Sequence, residues 1–242
     1  MSERATLYLL PVGLGAPEAQ ENTANWLPTH TQQLICSLDY FVVENAKTAR
    51  AWLKHFSYPR PLQTTHIETI PQKPQAQALQ NLLAPALAGH NIGLMSEAGC
   101  PAIADPGAEL VRMAHQLGIR VAPQVGPSSL LLALMGSGLN GQSFAFHGYL
   151  PVKEPDCAHT IGQLAKESAR LQRTQLFIET PYRNLKIFDA LLKNLPTQSL
   201  LAVACDLATP TEWISCASVA QWKTKPVPEI AKRPTVFLFL VR

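Results

Sequence analysis

The sequence lacks the features that mark several common classes of protein. Its five cysteines are an odd number and include no Cys-x-x-Cys pair, so they predict reduced thiols rather than a disulfide framework or a zinc site. No run of about twenty apolar residues occurs, and no basic segment followed by an apolar core opens the chain, so we expect neither a membrane span nor a secretion signal. Lysine and arginine are dispersed, without the block typical of a nucleic-acid-binding arm. We therefore expect a cytoplasmic protein without a metal site.

Length and patterning predict two small α/β domains. The 242 residues are long for one compact domain, and the net charge of +3 allows a nucleic-acid substrate without demanding one. The segment GYLPVKEPD, rich in Gly and Pro, is predicted to be the linker, which gives an N-terminal domain at 1–147 and a C-terminal domain at 152–242. In the second domain, Leu200–Cys205 and Glu212–Cys216 are separated only by DLATPT, which indicates an antiparallel pair and a mixed sheet.

A central segment, Gly93–Ser129, organises the first domain. An apolar strand at Ile92–Met95 leads into SEAGCPAIADPG, a loop whose Gly and Pro fix the backbone and whose small side chains let a ligand approach. A helix that opens near Asp105–Pro106 and a strand at Ile119–Ala122 follow, and PQVGPSS then leads into another apolar helix. This strand-helix-strand pattern predicts a parallel sheet with ligand-binding loops at the carboxyl ends of its strands.

The first strand, Leu7–Leu10, is followed by the Gly-rich turn PVGLGAPEA. Such a turn between strand and helix is a setting for binding phosphate or ribose, and it is equally typical of a plain connection. The sequence leaves both interpretations open.

The order and spacing of four blocks resemble the tetrapyrrole methylase family, the class III S-adenosylmethionine-dependent methyltransferases, and within it the subgroup that methylates the 2′-oxygen of 16S ribosomal RNA. The resemblance spans essentially the whole chain. The blocks are SEAGCPAIADPG at Ser96–Gly107, GIRVAPQVGPSSLLLALMGSGL at Gly118–Leu139, FHGYLP at Phe146–Pro151 and FIETPYRNL at Phe177–Leu185.

The resemblance implies two α/β domains with S-adenosylmethionine, the methyl donor, in the cleft between them, and a homodimer. It implies ribosomal RNA or the small ribosomal subunit as acceptor, with a small molecule as the alternative. The implied donor contacts are Pro11, Ala98, Gly99, Cys100, Ile103, Ser128, Ser129, Glu179, Thr180, Asp206, Leu207 and Pro234. Glu97 is added as a donor contact from its own position in the central loop and not from the resemblance.

Two segments depart from the RNA-methylating subgroup. This chain has PVGLGAPE where those members resemble PIGNLGD, and Glu44-Asn45-Ala46-Lys47 where they carry EDTR. It also ends soon after its last predicted strand, without their additional C-terminal segment. Two alternatives therefore stay open: methylation of a tetrapyrrole or other small acceptor, and a donor-binding regulatory protein without catalysis.

Several polar residues have both a structural and a functional interpretation. Asp105 precedes Pro-Gly at a predicted helix start, so it either caps the helix or faces the substrate or the sulfonium. Glu97 does not lie at a position from which it would cap a helix, and it is predicted to line the site. Glu179 ends an apolar strand, where a carboxylate needs a partner such as Arg183. His66 and His147 are interpreted as structural.

The implied reaction is an in-line displacement at the donor methyl group, and positioning can lower such a barrier by roughly 7–11 kcal/mol. No metal is required. A hydroxyl acceptor needs a base for its proton, and Glu97 and Glu44 are the candidate catalytic residues.

Overall fold

The computed structural model describes residues 5–20 and 22–242, and its chain separates into two compact units, one up to Ser128 and one from Ser129 to Arg242. Each unit contains one five-stranded sheet with helices packed on it. Within the described ranges, no helix combines the length and apolarity needed to cross a bilayer.

The first unit holds a sheet in the order β3-β2-β4-β1-β5, and every neighbouring pair is parallel, as the sequence predicts. All its strands therefore end at one edge, and β4 lies between β1 and β2. The elements are β1 (Thr6–Leu9), α1 (Thr29–Ser37), β2 (Tyr40–Val43), α2 (Ala46–His55), β3 (His66–Thr69), α3 (Ala76–Leu87), β4 (Ile92–Met95), α4 (Ala108–Gln116) and β5 (Arg120–Pro123), with 3-10 turns at Pro17–Ala19 and Thr23–Asn25.

Two apolar layers stabilise this sheet, one on each face. On one face, Trp52 and Leu53 of α2 and its C-cap residue Phe56 are almost completely buried. Helical spacing in the sequence places these three side chains on one side of a helix and predicts that they belong to the core, which the structure confirms. On the other face, α3 and α4 cover β1 and β4 through residues such as Leu83 and Leu110. Both layers leave the carboxyl edge of the sheet to the loops.

The second unit holds a mixed sheet in the order β6-β7-β10-β8-β9. The β6 and β7 strands are parallel, and the other neighbours are antiparallel, so the predicted antiparallel pair of β8 and β9 is confirmed. Its elements are α5 (Ser129–Ser137), β6 (Phe144–Tyr149), α6 (Glu154–Leu171), β7 (Thr174–Ile178), α7 (Asn184–Asn194), β8 (Leu200–Cys205), β9 (Trp213–Ser218), α8 (Val219–Trp222) and β10 (Thr235–Leu240), with a 3-10 turn at Pro181–Arg183.

The structure differs from the sequence expectations in three places. The predicted boundary at 148–151 lies inside the second unit, because α5 packs on β8, β9 and β10, and β6 pairs with β7. The sequence indicates a possible strand at Leu62–His66, but in the structure the strand begins at His66, where its register with Tyr40 starts. The helix predicted from Asp105–Pro106 begins at Ala108, because Gly107 has a φ of +134° that no helix accepts.

Candidate functional site

The carboxyl edge of the parallel sheet gathers the loops that the sequence singles out. The β1 and β4 strands are neighbours, and their following loops, 10–14 and 96–107, leave the sheet side by side. Glu44 follows β2 on the far side of β4, and 124–128 follows β5 beside β1. Open parallel sheets bind ligands at this edge, where neighbouring loops diverge.

The loops after β1 and β4 are joined through main-chain atoms. The Val12 N–H donates to the Gly99 carbonyl at 3.0 Å, and the Gly99 N–H donates to the Gly13 carbonyl at 3.2 Å. Gly99 has a φ of +67°, and a Cβ there would lie 3.2 Å from the Leu14 side chain. A side chain at this position would therefore be strained, which favours glycine where the two loops meet.

A second close contact brings the segment after β5 against Pro11. A Cβ on Gly126 would lie 2.3 Å from the Pro11 Cβ, so only glycine fits there. The Cys100 thiol donates to the Pro127 carbonyl at 3.3 Å, which ties the loop after β4 to the same segment. Ser128 follows directly, and Ser129 is the first residue of α5 in the second unit. Pro11 and Cys100 thus belong to one assembly of loops.

The Ser96–Gly107 loop has an unusual backbone. Ala102 and Ala104 both have φ of +65°, a region that costs a residue with a Cβ roughly 1–3 kcal/mol. Such conformations persist where the surroundings impose them, and they occur most often at functional sites. Ala98 is half-buried and Ile103 is exposed, so both remain accessible from solvent.

The two predicted catalytic candidates are linked to each other and to α2. The Glu97 N–H donates to the Glu44 carboxylate at 3.1 Å, and the Thr48 hydroxyl donates to the Glu97 carboxylate at 2.8 Å. Burial raises the pKa of Glu44; the Glu97 N–H opposes this shift, and the Glu97 charge adds to it. The structure therefore brings Glu44 and Glu97 together, but each carboxylate already accepts a hydrogen bond.

Asp105 lies close to both glutamates and does not cap a helix. The α4 helix has Gly107 as its N-cap residue and no side-chain cap, so the capping interpretation of Asp105 is wrong. Burial, together with the charges of Glu44 and Glu97, raises the pKa of Asp105 to about 6, and a hydrogen bond with Ser96 acts in the opposite direction. Asp105 is therefore a carboxyl group that changes protonation near neutral pH.

The Cys100 thiol is a hydrogen-bond donor and not a nucleophile in this arrangement. Burial raises its pKa, and the charge of Asp105 raises it further, so the thiol stays protonated at neutral pH. In the part of the chain that the structure describes, no group of three His, Cys, Asp or Glu side chains has the arrangement of a metal site.

Two residues that the sequence did not assign to the site hold its central loop in place. The Trp52 indole N–H donates to the Glu97 carbonyl at 3.0 Å, in addition to the contact from Thr48. The tryptophan was predicted only as a core residue, and no sequence signal distinguishes a core indole that also anchors a loop. The α2 helix thus fixes the position of Glu97.

The predicted donor residues of the second unit lie at one edge of its sheet. Because β10 is antiparallel to both β7 and β8, the start of β10 adjoins the ends of both strands. The Asp206 N–H donates to the Pro234 carbonyl at 2.9 Å, and the Asp206 carboxylate accepts from Arg233 at 2.8 Å. The residues that meet there are Glu179, Thr180, Asp206, Leu207 and Pro234.

Glu179 has the partner that its burial requires. Its side chain is 1% exposed, the Arg183 guanidinium lies 2.9 Å from its carboxylate, and the Thr180 N–H donates to it at 2.7 Å. The predicted pairing with Arg183 is confirmed.

Replacing Arg183 with methionine is expected to lower the free energy of unfolding by about 3–5 kcal/mol, because it leaves a buried carboxylate without its counter-ion. Urea denaturation measures the change. Adding Glu179→Gln to this variant should restore part of the loss, and replacing the exposed Arg170 with methionine serves as the control. A loss under about 1 kcal/mol in the Arg183 variant would show that the pair is not needed for stability.

A separate groove lies at the opposite edge of the first sheet. It encloses about 600 Å³ and is lined by Tyr40, His66, Asn81, Pro85 and His90, among others. Tyr40 and His66 open β2 and β3, and their rings stack with centroids 4.6 Å apart. Because parallel sheets bind ligands at the carboxyl ends of their strands, this groove is not the candidate site. The stacking agrees with the structural interpretation of His66.

Similar proteins agree with this architecture. No protein-family model matches the chain. Two relatives named ribosomal RNA small subunit methyltransferase I are 28% identical over 242 residues (Xylella fastidiosa; all of this chain and 83% of the relative) and 31% identical over 215 residues (Vibrio cholerae; 89% and 69%).

Two solved structures share the fold. The methyltransferase CobJ superposes with a TM-score of 0.61 at 16% identity and covers 98% of this chain and 93% of its own. Uroporphyrin-III-C-methyltransferase from Thermus thermophilus superposes with a TM-score of 0.54 at 17% identity, and the match covers 98% of this chain and 92% of the other. Both are tetrapyrrole methylases, which confirms the predicted two-domain tetrapyrrole methylase fold. Given this fold and the 31% identity over most of the Vibrio cholerae protein, the chain is a methyltransferase that belongs to the ribosomal RNA small subunit methyltransferase I family.

Proposed function

We propose that this protein transfers a methyl group from S-adenosylmethionine to the ribosomal RNA of the small ribosomal subunit, with a ribose 2′-hydroxyl as the acceptor. The observation that carries the proposal is the similarity to ribosomal RNA small subunit methyltransferases I, which extends over at least 89% of this chain in the two relatives described above. Tetrapyrrole methyltransferases share only the fold at 16–17% identity, so they do not favour a tetrapyrrole acceptor.

The family's methyl donor is S-adenosylmethionine, which supplies a methyl group activated by a sulfonium charge. We place its contacts in the first unit at Pro11 and along the 96–107 loop. The small or absent side chains of Ala98 and Gly99 leave main-chain groups accessible to the donor, and Glu44, Glu97 and Asp105 place negative charge where a sulfonium benefits from it. The chemistry of this edge therefore fits the donor. The second-unit contacts at Glu179, Thr180, Asp206, Leu207 and Pro234 stay predictions.

A ribose hydroxyl needs a proton acceptor as its oxygen bonds to the methyl group. We assign this role to Asp105 rather than to the initial candidates Glu44 and Glu97. Each of the three carboxylates accepts a hydrogen bond, Glu44 from the Glu97 N–H, Glu97 from Thr48 and Asp105 from Ser96, so the raised pKa of Asp105 is what distinguishes it. Asp105 has a pKa of about 6, which matches a base that works near neutral pH. Its role is to take the proton from the acceptor hydroxyl.

Radiolabelled S-adenosylmethionine tests the proposed function. The purified protein is incubated with small ribosomal subunits that lack the methylation, with large subunits, and with uroporphyrinogen III. We expect label in the RNA of the small subunit, and nucleoside analysis should find it on a 2′-oxygen. Label in the porphyrinogen alone, or in no acceptor, would refute the proposal.

We also propose a cytoplasmic homodimer. Leu131 and Met135 are one helical turn apart on α5, and they are 52% and 78% exposed. Exposed apolar side chains that share one face are typical of an interface. Light scattering should give twice the chain mass of 26.4 kDa, and a mass equal to one chain would contradict the dimer.

A further inference from the structure

The α2 helix carries an unbalanced set of positive charges. Lys47, Arg50 and Lys54 are all exposed, and their spacing of three and four residues places them on one face. The helix contains no Asp or Glu, whereas every other charged α-helix in the described chain mixes both signs. Among residues 5–20 and 22–242, none of the three cations has a carboxylate within salt-bridge distance.

The demands of the helix itself do not explain this set of charges. Its core face is formed by Ala49, Trp52 and Leu53, on the opposite side from the cations. Lys54 lies in the last turn, where a cation suits the helix dipole, but Lys47 lies in the first turn, where the dipole favours an acid. Lys47 therefore costs helix stability, which favours a role outside the helix.

The cationic face adjoins the candidate site. The α2 helix begins directly after β2 and Glu44, and its Asn45 cap accepts from the Lys47 N–H at 2.9 Å. Thr48 and Trp52, on the inward side, hold Glu97 and therefore the loop after β4. A polyanion bound along the outward side would thus lie next to the carboxylates where we place the reaction.

We propose that Lys47, Arg50 and Lys54 form a docking face for the phosphate backbone of the RNA strand that flanks the methylated nucleotide. The inference rests on the proposed function for its ligand. The three cations extend over about 10 Å of helix, at 1.5 Å per residue. Lysine and arginine contacts to phosphates position a nucleic acid without reading its sequence, and they displace counter-ions from it. Glu44 and Glu97 place negative charge beside the start of α2, so we expect the phosphates to lie along the outward face of the helix and the ribose at the loop edge.

The test compares two triple variants with equal loss of charge. One combines Lys47→Gln, Arg50→Gln and Lys54→Gln; the control combines Arg112→Gln, Lys166→Gln and Arg170→Gln, which are exposed cations on α4 and α6. Binding of fluorescent small-subunit RNA is measured from 50 to 300 mM salt, together with KM, kcat and the affinity for the donor.

For the α2 variant, we expect weaker RNA binding and a higher KM for RNA, each by on the order of tenfold or more, and a log–log salt dependence flatter by about two. The value of kcat and the donor affinity should stay unchanged. Equal RNA affinity and equal salt slope in the two variants would overturn the inference. If the wild-type protein labels no RNA, the proposed function fails, and the binding data still decide whether α2 docks RNA.

Discussion

Replacing Asp105 with asparagine is expected to lower the rate of methyl transfer at pH 8 by about 10²–10⁴-fold, the usual contribution of a positioned base. Asparagine keeps the size of the side chain but cannot accept the proton of the acceptor hydroxyl. Because the carboxyl group does not cap α4, the substitution should leave the fold intact. Single-turnover assays with labelled donor measure the rate, and calorimetry checks that the donor still binds.

Asp105 is also expected to set the pH dependence of the rate of methyl transfer. A pKa of about 6 means that Asp105 is ionised above that pH and protonated below it. A reaction that needs the carboxylate therefore loses rate as pH falls through about 6 and reaches a plateau above about 7. The Asp105→Asn variant should lose this acidic limb. Glu109→Gln, which removes an exposed acid from the first turn of α4, is the matched control and should keep the limb. An acidic limb that persists in the Asp105 variant would assign the base elsewhere.

Replacing Trp52 with alanine is expected to lower the free energy of unfolding by about 3–5 kcal/mol. The indole is completely buried and stacks on Phe56 with ring centroids 5.7 Å apart, so its removal leaves a large cavity in the layer between α2 and the sheet. It also removes the hydrogen bond to the Glu97 carbonyl. Typical domains have a free energy of unfolding of only about 5–15 kcal/mol, so the substitution removes a large part of it. Urea denaturation followed by circular dichroism measures the loss.

Two further substitutions separate the contribution of Trp52 packing from that of its hydrogen bond to the Glu97 carbonyl, which anchors the loop after β4. Trp52→Phe keeps an aromatic ring but lacks the N–H. We expect the missing hydrogen bond to lower the free energy of unfolding by about 0.5–1.5 kcal/mol. Donor affinity should fall in this variant if the anchor positions Glu97. Trp213→Ala removes a partly exposed indole and should cost less than Trp52→Ala. A Trp52→Ala loss no larger than that of Trp213→Ala would contradict the packing account.

Much of the fold follows from local patterns in the sequence. Short apolar runs such as Tyr40–Val43 and Ile92–Met95 predict strands at the observed bounds, because each is enclosed by turn residues and buried in the sheet. The separation of β8 and β9 by DLATPT predicts their antiparallel pairing, since so short a connection cannot cross over a sheet.

Features that depend on distant contacts could not be predicted in this way. The start of α4 depends on the φ of Gly107 and on left-handed conformations at Ala102 and Ala104, which the loop acquires from its surroundings. The place of α5 and β6 in the second unit depends on packing partners that follow them in the chain.

In the candidate site, too, some residues could be selected from the sequence, whereas the roles of others depend on distant contacts. The resemblance selected Pro11, Gly99 and Cys100, and the structure brings them together through main-chain bonds and close glycine contacts. The sequence did not distinguish a site role for Asp105 from a helix cap. The raised pKa of Asp105 comes from burial and from the charges of Glu44, which follows β2, and Glu97, which follows β4, and these contacts are visible only in the fold. The anchors Thr48 and Trp52 lie more than forty residues before Glu97, and their side chains carry no motif.

The central claim is that the loop after β4 holds the methyl donor, and titration calorimetry with S-adenosylhomocysteine tests it most directly. The wild-type protein should bind one molecule per chain. Ala98→Leu adds a side chain at a half-buried position of this loop and should abolish the binding heat while circular dichroism stays unchanged. The absence of heat with folded wild-type protein, or equal affinity in the Ala98 variant, would contradict the account.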